Sequence, residues 1–230
     1  RRVSVVKTIM FILTVLFAFS CSTGNREMAV SNLRCEYLEN PLGIDIQNPR
    51  FSWNIITGER DLMQSAYRII ISDNRNALMK ETGNIWDSGK VPSEMTCNIS
   101  YDGVPLRSGA TYFWSVSIWN QNGEQSSWAE PAFFSSGLLN KTDWKAQWIS
   151  AGDTLSEAPL LRTEFAVEKR IQKAFAYVTG LGYYELYLNG EKVGDHVLDP
   201  GMTDYRKRVL YSTYDVTENL KKGLNVAGAF

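Results

Sequence analysis

The chain has 230 residues, 44% of them hydrophobic and 12% aromatic, which is enough apolar material for packed cores. Lys and Arg total 24 against 25 Asp and Glu, so a net charge of −1 gives no electrostatic reason to bind nucleic acid. Internal repeats, low-complexity stretches and long 3.6-period segments are absent apart from a short helical turn expected around Asn76 to Glu81, and the chain reads as all-β.

Residues 1–21 read as an export signal. Arg1, Arg2 and Lys7 form a positive start, and Ile9 to Phe19 is an apolar run broken only by Thr14. That run is shorter than the ~20 residues a transmembrane helix needs. Small residues then precede Cys21, as at a lipoprotein cleavage site, although Ala18 stands where such sites usually carry Leu. Cys21 is the candidate lipidated residue, and an ordinary secretory signal with an incidental cysteine is the alternative. Lipidation would attach the protein to the bacterial outer membrane, with residues 22–28 as a short polar tether. The chain does not begin with Met, and we expect its N-terminus to be incomplete.

Residues 29–139 form the first expected domain. Strands are predicted at Asn32 to Tyr37, Phe51 to Ile56, Ser65 to Ser72, Ile85 to Asp87, Thr96 to Tyr101, Thr111 to Asn120 and Ala132 to Ser135. Asn40-Pro41, Asn48-Pro49, Thr57-Gly58, Ser88-Gly89 and Asn122-Gly123 break them apart. Seven short strands in about a hundred residues is the pattern of an immunoglobulin-like sandwich. Leu106, Gly109 and Tyr112, followed by alternating Trp114, Val116 and Ile118, resemble the tyrosine corner of fibronectin type III domains, with Ser108 in place of the usual Pro and Ala110 in place of Thr. Trp53 and Trp114 are core candidates. Trp119, on the face opposite Trp114, would pack on the neighbouring domain or stack on a sugar. In the expected strand order Cys35 and Cys97 both flank the second strand, about 9–10 Å apart. That is beyond disulfide reach, and two small buried thiols are predicted.

Residues 142–230 form the second expected domain, after a linker from Leu138 to Thr142. Its clearest strands are Leu161 to Phe165 and Ala174 to Val178, and about six strands are expected up to Phe230. In Tyr183 to Leu188, Tyr184, Leu186 and Leu188 alternate with Tyr183, Glu185 and Tyr187, so one face is buried. Asn189-Gly190 favours a type I′ hairpin returning through Lys192 to Gly194. Val209 to Val216 is rich in β-branched and aromatic residues and reads as a further strand. Leu224 to Phe230 is a strand-like run that stops without a turn or cap, and we expect it to lack a partner, as in a fragment.

One long run carries a family resemblance. The pattern YxLYLNGxxVGDxxLxPGxTDYxKRVxYxTYDVT, from Tyr184 to Thr217, resembles the N-terminal jelly-roll domain of bacterial α-L-rhamnosidases, and Trp144 to Ile149 is similar to its entry segment. The resemblance covers the whole mature chain, most specifically residues 144–225. It implies a fibronectin-III-like sandwich followed by a jelly roll, truncated because such a domain closes with eight strands. It also implies a downstream helical barrel that hydrolyses α-L-rhamnosides of plant or microbial glycans by inversion, through an acidic pair absent from these residues. No catalytic residue is expected here. A stand-alone carbohydrate-binding or adhesion lipoprotein of two β-sandwiches is the alternative function, and a structural spacer is a third.

Candidate site residues are few. Asp195, Asp199 and Asp204 cluster in sequence around Pro200-Gly201, and related rhamnose-binding jelly rolls use calcium held by loop oxygens. Their spacing matches no calcium loop, and turn formation by Asp before Pro-Gly is the simpler account. Tyr183 and Tyr187 could form a sugar-stacking platform, or merely pair across a solvated face. His196 is the only histidine, so neither a histidine metal cluster nor a Ser-His-Asp set with independent support can be assembled. Calcium is therefore the only candidate cofactor, and glycans and the membrane are the expected partners.

Overall fold

A computed structural model describes residues 28–150, 152 and 159–230. The expected signal, Cys21 and most of the tether lie outside the described residues. Among the described residues no helix is long and apolar enough to cross a membrane.

The first domain packs two antiparallel sheets. One contains β1 (Ala29–Cys35), β2 (Arg50–Ile56) and β6 (Ile99–Ser100) in the order β1-β2-β6. The other is built on β3 (Gln64–Ser72), β7 (Thr111–Asn120) and β8 (Ala132–Ser135), and its free edge is two short pieces, β4 (Trp86–Asp87) and β5 (Val91–Pro92), both paired with β3. β5 ends in a proline, which belongs on such an edge because it has no N–H to donate. The expected helical turn is α1 (Arg75–Leu78), whose N-cap Asn74 accepts from the Asn76 N–H. Phe51, Trp114 and Phe134 fill the centre, with the Phe51 and Trp114 rings 4.6 Å apart. Trp53 is buried as predicted and donates its indole N–H to Gln64 at 3.0 Å.

Local chemistry explains the departures. β1 ends at Cys35 because Glu36 and Tyr37 both take positive φ, 48° and 66°, closing a tight turn. The Glu36 carboxylate anchors that turn by accepting from the Arg50 backbone N–H and guanidinium. The hydrogen bond from Arg50 holds the Glu36 carboxyl below its ordinary range. β6 is shorter than predicted, and Asn98 at φ 57° breaks the alternation before it. This corrects the expectation for Cys97: it is exposed, whereas Cys35 is buried and its thiol is pushed up by burial. Both are free, on either side of β2 as the strand order required.

The tyrosine corner is formed. Tyr112 is 1% exposed and its hydroxyl accepts from the Arg107 N–H at 2.8 Å. Ser108, in the place of the usual proline, accepts from the Leu139 N–H at 2.9 Å and donates to the Asp143 carboxylate in the 3₁₀ turn Lys141–Asp143. The substituted corner position thus ties the sandwich to the connecting segment.

The second domain has six strands among the described residues. β12 (Glu191–Lys192), β11 (Leu186–Leu188), β14 (Gly223–Ala229) and β9 (Leu161–Val167) form a sheet in that order, and β10 (Phe175–Val178) pairs with β13 (Ser212–Asp215). The hairpin between β11 and β12 turns at Asn189 and Gly190 with φ 53° and 90°, as type I′ requires. β14 corrects the expectation of an unpartnered strand: it lies inside the sheet, with β11 on one side and β9 on the other. Both partners are distant in sequence, so a local reading could not supply them. β13 is shorter than the predicted Val209 to Val216, because Lys207 and Arg208 bond back to the Asp204 carbonyl and turn the chain.

Candidate functional site

The alternation in Tyr183 to Leu188 sorts those residues as expected. Leu188 and Leu186 pack inward with Val193, Tyr214 and Val216. On the opposite face Glu185 pairs with Lys192 at 2.6 Å and accepts from the Tyr187 hydroxyl at 3.0 Å. Hydrogen bonding to Lys192 holds the Glu185 carboxyl down and raises the Lys192 ammonium. The Tyr187 ring stacks on Phe230, centroids 5.6 Å apart. Tyr187 therefore belongs to a shallow apolar depression with Leu160, Val226 and Gly228, while Tyr183 is half exposed and does not line it.

The three aspartates are separated in role. Asp195 is exposed. Asp204 accepts from the Arg206 backbone N–H and guanidinium, a turn-forming arrangement. Asp199 points inward, accepting from the Tyr214 hydroxyl at 2.7 Å and the Tyr184 hydroxyl at 3.2 Å, with His196 Nδ1 at 3.3 Å. Burial opposes its charge, yet donation from Ser212, Tyr214, His196 and Tyr184 holds its carboxyl below the ordinary range. Burial raises both tyrosines. Among the described residues no three His, Cys, Asp or Glu side chains are grouped as metal ligands. The sequence reading missed Tyr184 and Tyr214 as partners. The available signal was their inward placement, since a buried tyrosine hydroxyl needs a partner.

A second feature lies along the seam between the domains. The Tyr211 hydroxyl accepts from the Leu138 N–H at 2.9 Å. Gly137 and Gly43 allow this approach, because a Cβ on Gly137 would collide with the Tyr211 hydroxyl and one on Gly43 with the Thr213 side chain. Beside this contact opens a groove of about 460 Å³, lined by Gly109, Thr111, Phe113, Phe133, Lys173 and Phe175. Phe113 and Phe133 are register partners on β7 and β8, their rings 6.5 Å apart. Trp119 is eight residues along β7 from the Thr111 end that meets the second domain, about 26 Å at strand rise. This corrects its expected packing on the neighbouring domain: the Lys90 ammonium covers its ring, 4.4 Å from the centroid.

Comparison with known proteins fits this architecture. Residues 30–140 match the model of the Rha78A-like N-terminal immunoglobulin domain, and residues 169–230 that of the α-L-rhamnosidase N-terminal domain. An α-L-rhamnosidase of Alteromonas sp. (strain LOR) is 38% identical over 98% of this chain and 26% of the relative. One from Formosa agariphila is 33% identical over 94% of this chain and 26% of its own length. The chain thus spans about a quarter of the length of these curated relatives. Among solved structures, the α-L-rhamnosidase from Dictyoglumus thermophilum superposes with a TM-score of 0.82 at 39% identity, covering 87% of this chain and 24% of that one. The enzyme from Aspergillus terreus gives 0.76 at 30% identity, covering 88% and 23%. Two successive domain matches, and alignment of nearly the whole chain with one quarter of each relative, show that it resembles the N-terminal two-domain region of α-L-rhamnosidases.

Proposed function

We propose that the chain is the accessory N-terminal region of an exported glycoside hydrolase that removes terminal α-L-rhamnosyl residues from plant or microbial glycans. The observation that carries this reading is the alignment of 98% of the chain with only 26% of a rhamnosidase. Chemistry then belongs to the remainder of the longer protein, as an inverting reaction whose two carboxylates stand about 6.5–9.5 Å apart across the glycosidic bond. The 230 residues by themselves do not turn over substrate. Several acidic side chains are already committed here: Glu185 to Lys192, Asp199 to its tyrosines, Asp215 to Lys173. Export and attachment at the outer membrane through lipidated Cys21 complete the proposal, supported by the order of charge, apolar run and small residues in 1–21.

The test is release of nitrophenol from p-nitrophenyl α-L-rhamnopyranoside, measured on these 230 residues and on the complete gene product. Activity in the complete product alone, with β-L-rhamnose as the first anomer seen by NMR, is the expected result. Turnover by the 230 residues, or a gene product without any, overturns it. For the anchor, Cys21→Ala should release the exported protein from the membrane fraction, and equal retention of parent and variant removes Cys21 from that role.

A further inference from the structure

The seam groove combines features that a mere gap between domains does not require. Its walls come from both domains: Phe113 and Phe133 line it from the first, and Phe175 adds a third aromatic ring from the second. Phe113 and Phe133 sit at outward strand positions, opposite the core residues Tyr112, Trp114 and Phe134, and Phe175 alternates with Ala174 and Ala176, which pack on the second core. Polar groups stand among the rings. Thr111 supplies a hydroxyl, and Lys173, whose ammonium lies 5.4 Å from the Phe175 centroid, is paired with Asp215. Asp215, whose oxygens are taken by Lys173 and by Thr217, neutralises the Lys173 charge, so the lining suits a neutral, hydroxyl-bearing ligand and not an anion. Next to Gly109 the Tyr177 hydroxyl is buried and, among the described residues, has no hydrogen-bond partner. Orphaned buried hydroxyls are rare and call for an explanation.

We propose that this interdomain groove binds one neutral pyranoside ring of the glycan, held by C–H contacts to Phe113, Phe133 and Phe175 and oriented by Thr111 and the charge-neutralised Lys173. The volume of about 460 Å³ suits one or two sugar rings. The aromatic faces carry negative quadrupole and attract the polarised C–H bonds of a pyranose. This reading rests on the proposed action on glycans: the groove would hold the chain being degraded against the accessory region.

The experiment uses the 230-residue chain and methyl α-L-rhamnopyranoside, followed by ¹⁵N NMR. Saturable shifts at Gly109, Thr111 and Lys173, with a Kd of about 1 mM, are expected for a single ring in an open groove. Phe133→Ala should weaken binding by about tenfold, the loss of one aromatic contact. Lys173→Ala, at an exposed residue, provides a second variant if Phe133→Ala fails to fold. Shifts confined to the Tyr183 and Tyr187 face, or none at about 50 mM sugar, fifty times the expected Kd, overturn the proposal. Rhamnosidase activity of the complete gene product is measured separately, so loss of the groove site and loss of the enzyme reading give different results.

Discussion

The two domains reach order by different means. The first buries nineteen hydrophobic residues in one cluster, from Met28 to Phe134. The second, among its described residues, buries four: Leu188, Val193, Tyr214 and Val216. Its most buried residue is polar: Asn225, fully inaccessible, accepts from the Lys221 N–H at 2.9 Å and donates to the Lys221 and Gly223 carbonyls. Asp199 organises a second polar centre. In a large apolar core the loss scales with the apolar surface and volume removed, because burial is non-directional. In a thin one held by directed hydrogen bonds it depends on partners, because each lost one strands another group.

The largest effect should therefore come from the first core. Trp114→Ala removes a fully buried ring in contact with Phe51. A loss of about 3–5 kcal/mol is expected, read from hydrogen exchange of the β3 and β7 amides. Leu188→Ala in the second domain should fall near the lower end of its class, about 2 kcal/mol, because partly exposed neighbours can close on the gap. Equal losses at the two sites would erase the contrast between the cores.

Asn225→Ala should cost about 1–3 kcal/mol by leaving the Lys221 and Gly223 carbonyls without their donor. Exchange should quicken in β9 and β14 while β3 and β7 stay protected. Uniform quickening would mean the domains unfold as one unit through the seam. Tyr112→Phe is smaller, about 0.5–1.5 kcal/mol, since it removes one hydrogen bond to the Arg107 N–H and leaves the ring stacked on Phe134.

The same contrast governs what the sequence could reveal. β7 and β8 were readable to the residue because long alternating runs bounded by turn formers specify both strand and face. The tyrosine corner was readable too, because its partner lies five residues upstream. β14 was misjudged because its partners β9 and β11 lie far away in the chain. Cys97 was placed wrongly because one left-handed residue, Asn98, resets the alternation. At the site, Asp199 was visible as a turn former but its inward aim was not, since that depends on Tyr184, which forms an isolated bridge with it, and on Tyr214 from β13. The groove was least visible of all: Phe113 and Phe133 are a readable outward pair, but nothing in the sequence places Phe175 beside them.

The smallest effect sharpens the comparison through pH. The Asp199 carboxyl is held below its ordinary range in the folded chain, while in the unfolded chain it titrates near 3.9. A depressed folded value means that ionised Asp199 contributes stability in full above about pH 4. That contribution falls as pH drops below the unfolded value and is gone once pH passes the folded one. Other carboxyls are also depressed, Glu36 and Asp87 in the first domain and Asp215 in the second, so acid weakens both domains. What distinguishes Asp199 is its partners, the buried Tyr214 and the half-buried Tyr184, whose hydroxyls both donate to one carboxylate oxygen. Asp199→Asn should therefore flatten the acid limb of stability, measured by hydrogen exchange in β10 and β13, and leave the acid response of β3 and β7 unchanged. An unaltered limb in β10 and β13 would assign their acid sensitivity to Asp215, whose carboxylate is paired with Lys173 beside the groove.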